Sequence, residues 1–334
     1  MRLLILGGGH FLGRTIAAQA LARGHQVTVF NRGKSSTDLP GVTVVRGDRS
    51  VPADLVNLAA RGDWDAVVDT SGMTTDLVEL STGALAGIVD HYVFISTVNV
   101  YQGWPVEPLT DDSPVRSYAP YGPPGESSAD EYGRLKAGCE QAVTTAFAGR
   151  SALLRPGVIL GPHENVGRLP WWLTRIREGG RVLAPGRPDW PIQPVDVRDV
   201  AAFALDVAEQ RLPGSYNVTA PIGHSTFEEL LDACRTAVDS VADLVWVDDA
   251  FLRRHRVPEW VGLPLWRDYS GTWHVDAARA RAAGLTCRPL PDTVTDTWQW
   301  MRDTTLAETE RSAELGITRR REQEILAAWD AARI

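Results

Sequence analysis

Apolar residues come first in short unbroken runs and later at helical spacing. Arg2 to Leu6 is one such run, of strand length. After a glycine-rich stretch, the periodicity of residues 14–23 predicts a helix, and 26–30 reads as a second strand. Further strands are predicted at 42–46, 65–69 and 92–96, alternating with helical stretches near 51–61 and 74–88. Continuous apolar strands are buried on both faces, so this half predicts an α/β fold with a doubly wound parallel sheet. Beyond about 221 the pattern changes. Ser225 and Glu228 have capping-box spacing, and apolar residues recur three and four apart near 248–256, 276–283, 291–303 and 320–332. These features predict a smaller, mostly helical C-terminal lobe.

The run Gly7-Gly8-Gly9-His10-Phe11-Leu12-Gly13 lies between the first strand and the first helix. Glycines at 7 and 13 permit a tight turn and close helix-to-strand packing, and a helix N-terminus offers unpaired amides to a pyrophosphate. The backbone from Gly7 and Gly8 through Phe11 and Leu12 to Gly13 is therefore a predicted dinucleotide cradle. After the second strand comes Asn31-Arg32-Gly33-Lys34-Ser35. An NAD site usually places an acid there for the ribose 2′-hydroxyl. Two cations and no acid favour the 2′-phosphate of NADP, with Arg32 and Lys34 as its ligands; the alternative for Arg32 is an exposed turn residue. Other candidates fall at the carboxyl ends of predicted strands, where ligands of such sheets bind: Asp48 and Arg49, then Thr70, Ser71 and Gly72, then Ser96 and Thr97. The expected division is an NADP-binding domain over residues 1–163, completed by 194–220, with 164–193 and 221–334 forming a substrate-binding lobe.

Of 34 basic residues only Lys34 and Lys136 are lysines. Lys136 stands four residues after Tyr132, which puts both on one helix face, where an ammonium favours the phenolate and lowers the tyrosine pKa. Such a pair is a proton donor and acceptor for a carbonyl or alcohol.

A net charge near −8 works against binding of a phosphate backbone, so nucleic acid is not an expected partner. The first apolar run is only a strand's length and no secretory leader is recognisable, so no membrane partner and a cytoplasmic location are expected. Cys139, Cys234 and Cys287 are widely spaced and the histidines scattered, so reduced thiols and no metal site are predicted. Between 102 and 130 the chain is rich in Pro, Gly and Ser and reads as an active-site loop. Seven of the 12 tryptophans lie between 171 and 273. Aromatic walls of this kind suit an apolar or ring-bearing small-molecule substrate, although core packing is the commoner fate of tryptophan.

Taken in order, the glycine loop, Asp48, the run 92–101, Tyr132 to Lys136, the run 154–162 and the run 194–201 resemble the extended short-chain dehydrogenase/reductase family. Together these pieces span roughly two thirds of the chain. Within it, the Gly-Gly-x-x-Phe-x-Gly loop and Phe30-Asn31-Arg32-Gly33 look most like the branch containing chloroplast stem-loop RNA-binding proteins and bacterial reductases and epimerases. The resemblance implies a Rossmann sheet and a triad of Thr97, Tyr132 and Lys136. Thr97 and Tyr132 would bond the substrate oxygen, Tyr132 would pass the proton, and Lys136 would hold the nicotinamide ribose. Thr97 also has a simpler reading, as a strand-end hydroxyl bonded to local backbone. The resemblance further implies that Asp48 bonds the adenine amino group, that Pro156 and Val158 line the nicotinamide pocket, and that the Tyr132 helix pairs in a homodimer.

Departures from the family pattern narrow the expected chemistry. His10 stands where the fingerprint usually has its middle glycine, so its ring either donates to a phosphate or packs on the first helix. Val98-Asn99 replaces the dehydratases' Asp-Glu, and Val158 stands where sugar-nucleotide members usually carry asparagine. The expected function is an NADP-dependent oxidoreductase acting on a small carbonyl or alcohol. The alternatives are an epimerase that retains its cofactor and a non-catalytic nucleotide- or RNA-binding module.

Overall fold

The computed structural model describes residues 1–34, 38–123, 125–304 and 309–333. Its centre is a parallel sheet of seven strands: β1 (Arg2–Leu6), β2 (Gln26–Asn31), β3 (Thr43–Arg46), β4 (Trp64–Asp69), β5 (Val89–Ile95), β6 (Ser151–Pro156) and β7 (Gly214–Val218). They lie in the order β7-β6-β5-β4-β1-β2-β3. The order reverses at β1, which opens a crevice over the carboxyl ends of the strands. Leu6 is in register with Phe30 of β2 and with Asp69 of β4, so Gly7, Asn31 and Thr70 emerge side by side.

The two faces follow from the alternation of side chains along each strand. Leu3 and Ile5 meet α1 (Phe11–Ala22) and a later helix, Val197–Gln210, through Ile16, Ala20, Val200 and Phe203. Leu4 and Leu6 face the other way, onto Leu55 and Leu58 of α2 (Pro52–Ala59), Val78 and Leu85 of α3 (Thr75–Leu85) and Val143 of α4 (Ser128–Ala146). A separate apolar cluster joins Trp172 and Ile176 of α5 (Arg168–Arg177) to Phe227 and Leu230 of the helix Phe227–Ala237, and to Leu265, Val294 and Ile325. Among the described residues no helix is long and apolar enough to cross a membrane.

Local boundaries differ from the expected ones for identifiable reasons. Helix α1 begins at Phe11, because His10 is extended and serves as N-cap; Leu12 and Gly13 thus belong to the first helical turn. The capping box is one residue later than expected, on Thr226 and Glu229. Ser225 is occupied by a two-residue antiparallel pairing with Ile192, which leaves Thr226 as the hydroxyl that accepts from the Glu229 amide at 3.2 Å.

Candidate functional site

A cavity of about 500 Å³ lies over the crevice, walled by residues 6–13, by Phe30 to Arg32, by Gly47 to Arg49, and by Thr70, Ser71, Met73, Leu77 and Asn165. Its floor is made by close backbone approach. A Cβ at Gly13 would lie 2.7 Å from the Gly8 nitrogen and 2.8 Å from Thr70 Oγ1, so only glycine lets α1 start this near β1 and β4. Gly7 and Gly8 take φ of 109° and 84°, in the left-handed region. The Leu12 side chain packs into the core, leaving its backbone to the cavity, whereas the His10 ring is exposed at the wall.

At the rim, Arg32 Nη1 lies 3.8 Å from Asp48 Oδ2, and both side chains are substantially exposed. The Asp48 carboxylate accepts from the Ser50 amide and hydroxyl at 3.0 and 2.8 Å; these bonds, with the nearby Arg32 and Lys34, hold its pKa below the usual range. Asn31 accepts from the Gly33 amide at 2.8 Å and from Arg46, a third cation that also pairs with Asp38. Ser35, which closes the expected phosphate turn, lies outside the described residues.

Arg49 lines the cavity at a strand end. Its guanidinium is committed to fully buried Asp69, with two bonds of 2.9 Å, and to Ser71 and Ser81 at 3.1 and 2.8 Å. Tyr92 donates to the same carboxylate at 2.8 Å. Burial alone would raise the Asp69 pKa, but Arg49 and the hydrogen bonds hold it low. This network braces the cavity floor from below.

Of the other expected residues, Ser96 and Thr97 follow β5, Pro156 ends β6, and Tyr132 and Lys136 lie on α4; none of these five is in the cavity wall. Thr97 is buried and is the N-cap of a short turn, Val98–Val100, accepting from the Asn99 amide at 3.2 Å. Its hydroxyl donates to Asn99 Oδ1 at 3.3 Å, and the half-buried Tyr132 phenol lies beside it. Gly133 makes this meeting possible: a Cβ there would run into the Asn99 carbonyl, which Arg116 Nε holds at 3.0 Å. Lys136, one turn on, donates to the Gly72 and Ile95 carbonyls at 2.8 and 2.7 Å, and its Nζ sits 4.0 Å from the Phe94 ring centroid. Burial draws this ammonium down to about 8. Ser96 Oγ is buried without a partner beside it. Pro156 ends β6, and Val158 packs toward the second apolar cluster.

The spacing of Tyr132 and Lys136 predicts an ammonium that depresses the phenol. In the structure burial raises the phenol above its ordinary value, and the cation acting against that rise is Arg311. Lys136 is drawn instead to two backbone carbonyls at the ends of neighbouring strands. The sequence reading missed Gly133, Arg311, Met73, Leu77 and Asn165. Gly133 lay inside the Tyr132–Lys136 run, but its need appears only when α4 meets the Val98 turn; Arg311 and Asn165 are remote in sequence from everything they approach.

The cavity fits the diphosphate and adenosine end of a dinucleotide: a glycine cradle with no room for a Cβ, a helix N-terminus, and polar groups along one rim. The chain is 27% identical over 255 residues to the Arabidopsis thaliana protein named chloroplast stem-loop binding protein of 41 kDa b, covering 71% of this chain and 63% of that one. It is 30% identical over 198 residues to the 2-alkyl-3-oxoalkanoate reductase of Stenotrophomonas maltophilia, covering 54% of this chain and 57% of that one. The chain thus spans 63% and 57% of the lengths of these two relatives. The solved structure of the Bordetella bronchiseptica enzyme WbmH in complex with NAD+ shares the fold, with a TM-score of 0.70 at 20% identity over 90% of this chain and 98% of that one. Residues 3–219 match the NAD dependent epimerase/dehydratase family, and the chain belongs to that family.

Proposed function

We propose that the chain is an NADP(H)-dependent reductase or dehydrogenase acting on a small organic carbonyl or alcohol. The observation that carries this reading is the meeting of the Thr97 hydroxyl and the Tyr132 phenol at the carboxyl end of the sheet, alongside a dinucleotide-sized cavity. A nicotinamide dinucleotide bound there supplies or accepts the hydride. Gly7, Gly8, Gly13 and the first turn of α1 would hold its pyrophosphate, and Ser96 Oγ has the free valence to bond its nicotinamide end. Arg32 and Lys34 would take a 2′-phosphate; Arg46 sits close behind them on Asn31.

The chain's own groups then handle the oxygen and its proton. Tyr132, like any phenol, keeps its proton at neutral pH, and burial raises its pKa further, so it is set to donate to a carbonyl oxygen that Thr97 would also bond. Lys136 holds Gly72 and Ile95 together under that position, which makes it a positioning residue in this arrangement. The reductase named among the relatives supports carbonyl reduction.

The direct test is a parallel titration of purified protein with NADPH and NADH, followed by cofactor fluorescence. A preference for NADPH of 10-fold or more, about 1.4 kcal/mol, is expected; equal affinity would remove the 2′-phosphate assignment. Tyr132→Phe should lower turnover by about 10²–10⁴-fold and leave cofactor affinity unchanged. Dinucleotide that co-purifies and never turns over would favour the epimerase reading. Failure of cofactor-free protein to bind either dinucleotide would sink the proposal.

A further inference from the structure

The cations at the rim where β2 and β3 end are not equivalent. Arg32 makes one long contact with Asp48, at 3.8 Å, and reaches out toward the cavity mouth. Arg46 points the other way and is fully engaged. It ends β3 in register with Asn31, the last residue of β2, and the Gly47 amide donates to the Asn31 carbonyl at 3.2 Å. The arginine side chain therefore starts from fixed sheet backbone.

From that base the guanidinium grips the chain on both sides of Arg32 and Lys34. Nη1 donates to Asn31 Oδ1 and, at 3.2 Å, to Asp38 Oδ1, while Nη2 donates to Asp38 Oδ2. Asn31 Oδ1 also accepts the Gly33 amide at 2.8 Å. The turn lies directly against the cation: a Cβ at Gly33 would stand 3.0 Å from both Cζ and Nε of Arg46. Glycine, with φ of 69°, is the residue that takes this conformation at this distance.

The Arg46 and Asp38 side chains are 48% and 28% exposed, so water screens their attraction and the pair adds little to global stability. Its effect is local. A turn carrying two long, flexible cations is ordered before any ligand arrives, which lowers the ordering cost that phosphate binding would otherwise carry. Arginine suits this work because its planar fork reaches an amide oxygen and a carboxylate at once, whereas an ammonium is a single point charge.

We infer that Arg46 is a positioning residue for cofactor choice. Gripped between Asn31 and Asp38, it fixes the turn that presents Arg32 and Lys34, and so sets the preference for NADPH over NADH without touching the 2′-phosphate itself. This rests on the reading of Arg32 and Lys34 as the ligands of that phosphate. The glycine cradle for the pyrophosphate belongs to a different segment, so NADH affinity would not depend on Arg46.

The test titrates the full chain and its Arg46→Gln, Arg46→Lys and Asp38→Asn variants with NADPH and NADH, followed by cofactor fluorescence. Arg46→Gln should weaken NADPH about 10-fold and leave NADH within about 2-fold, and Arg46→Lys should recover only part of the loss. Asp38→Asn should weaken NADPH in the same sense. An unchanged NADPH-to-NADH ratio in Arg46→Gln would overturn the inference while leaving the 2′-phosphate site intact, and an equal loss of both cofactors would overturn it too. Tighter NADPH binding by Asp38→Asn would also sink it, since that is the sign of a carboxylate competing with the phosphate for Arg46. A parent chain with no preference would remove the 2′-phosphate assignment and with it the role in cofactor choice. Limited trypsin digestion then judges the grip by itself: cleavage at Arg32 and Lys34 should be several-fold faster in Arg46→Gln, and an equal rate would show that Arg46 does not hold the turn.

Discussion

Tyr132, Gly133 and Lys136 occupy five residues of one helix and do three separable things. Tyr132 presents a protonated phenol to Thr97, and Lys136 reaches past it to the Gly72 and Ile95 carbonyls. Gly133 lets the helix approach the Asn99 carbonyl. Replacing an interior helical glycine by alanine ordinarily stabilises by up to about 1 kcal/mol. Here the added methyl meets a carbonyl that Arg116 pins, and overpacking of that kind costs about 1–3 kcal/mol. Gly133→Ala should therefore lower stability by about 1–2 kcal/mol in urea unfolding and reduce turnover with it. An unchanged or higher urea midpoint would show that the helix shifts freely. The spacing of Tyr132 and Lys136 is plain in the sequence, and the motifs around it single the pair out. Where the lysine points is not, because two strand-end carbonyls 41 and 64 residues away attract it more than its helical neighbour does.

At the level of elements, α4 must hold its register against the sheet for Tyr132 to stay beside Thr97. Its anchor is Glu140, one turn beyond Lys136, which accepts from Arg155 of β6 at 2.9 and 2.7 Å. Arg155 also donates to Tyr101 at 2.9 Å, and Tyr101 donates to Asn217 of β7 at 2.8 Å. The chain of bonds thus ties one helix, one loop and two strands. Both members of the ion pair are buried, so removing one strands the other. Glu140→Gln should cost about 3–5 kcal/mol in urea unfolding, whereas joint replacement by Glu140→Leu and Arg155→Met should recover most of the loss. Simple additivity of the single variants would contradict the pairing. Strands β1 to β5 and helices α1 to α3 were legible from apolar periodicity, with ends off by a few residues, whereas β6, β7 and α5 were not among the expected elements. Ends depend on which backbone groups find partners, as Ser225 and Thr226 show; periodicity carries no information about that.

Across the whole molecule, buried titratable groups give opposing pH dependences. Lys136 is lowered by burial from 10.5 to about 8, so between those values the unfolded chain binds the extra proton and stability rises with pH. Cys139 and Cys287 are raised by burial from 9.0 to about 11, and Cys234 is raised as well; their contribution is lost as pH climbs from about 9. Three thiols outweigh one amine. The urea midpoint under reducing conditions should therefore fall from pH 9 to 11, and Lys136→Met should steepen that fall. A midpoint that holds level across the range would mean the thiols are reached by solvent.

What the sequence determined by itself is the local and the periodic: the strand runs, the glycine turn before α1, the Tyr132–Lys136 spacing and the family these compose. Such features need only backbone geometry and side-chain alternation, which act over a few residues. Tertiary structure alone decided which partners the charged groups found. Arg49 went to Asp69 and Lys136 to two carbonyls. The strength of a buried charge depends on its depth and its nearest counter-charge, and both come into being only when segments a hundred residues apart pack together.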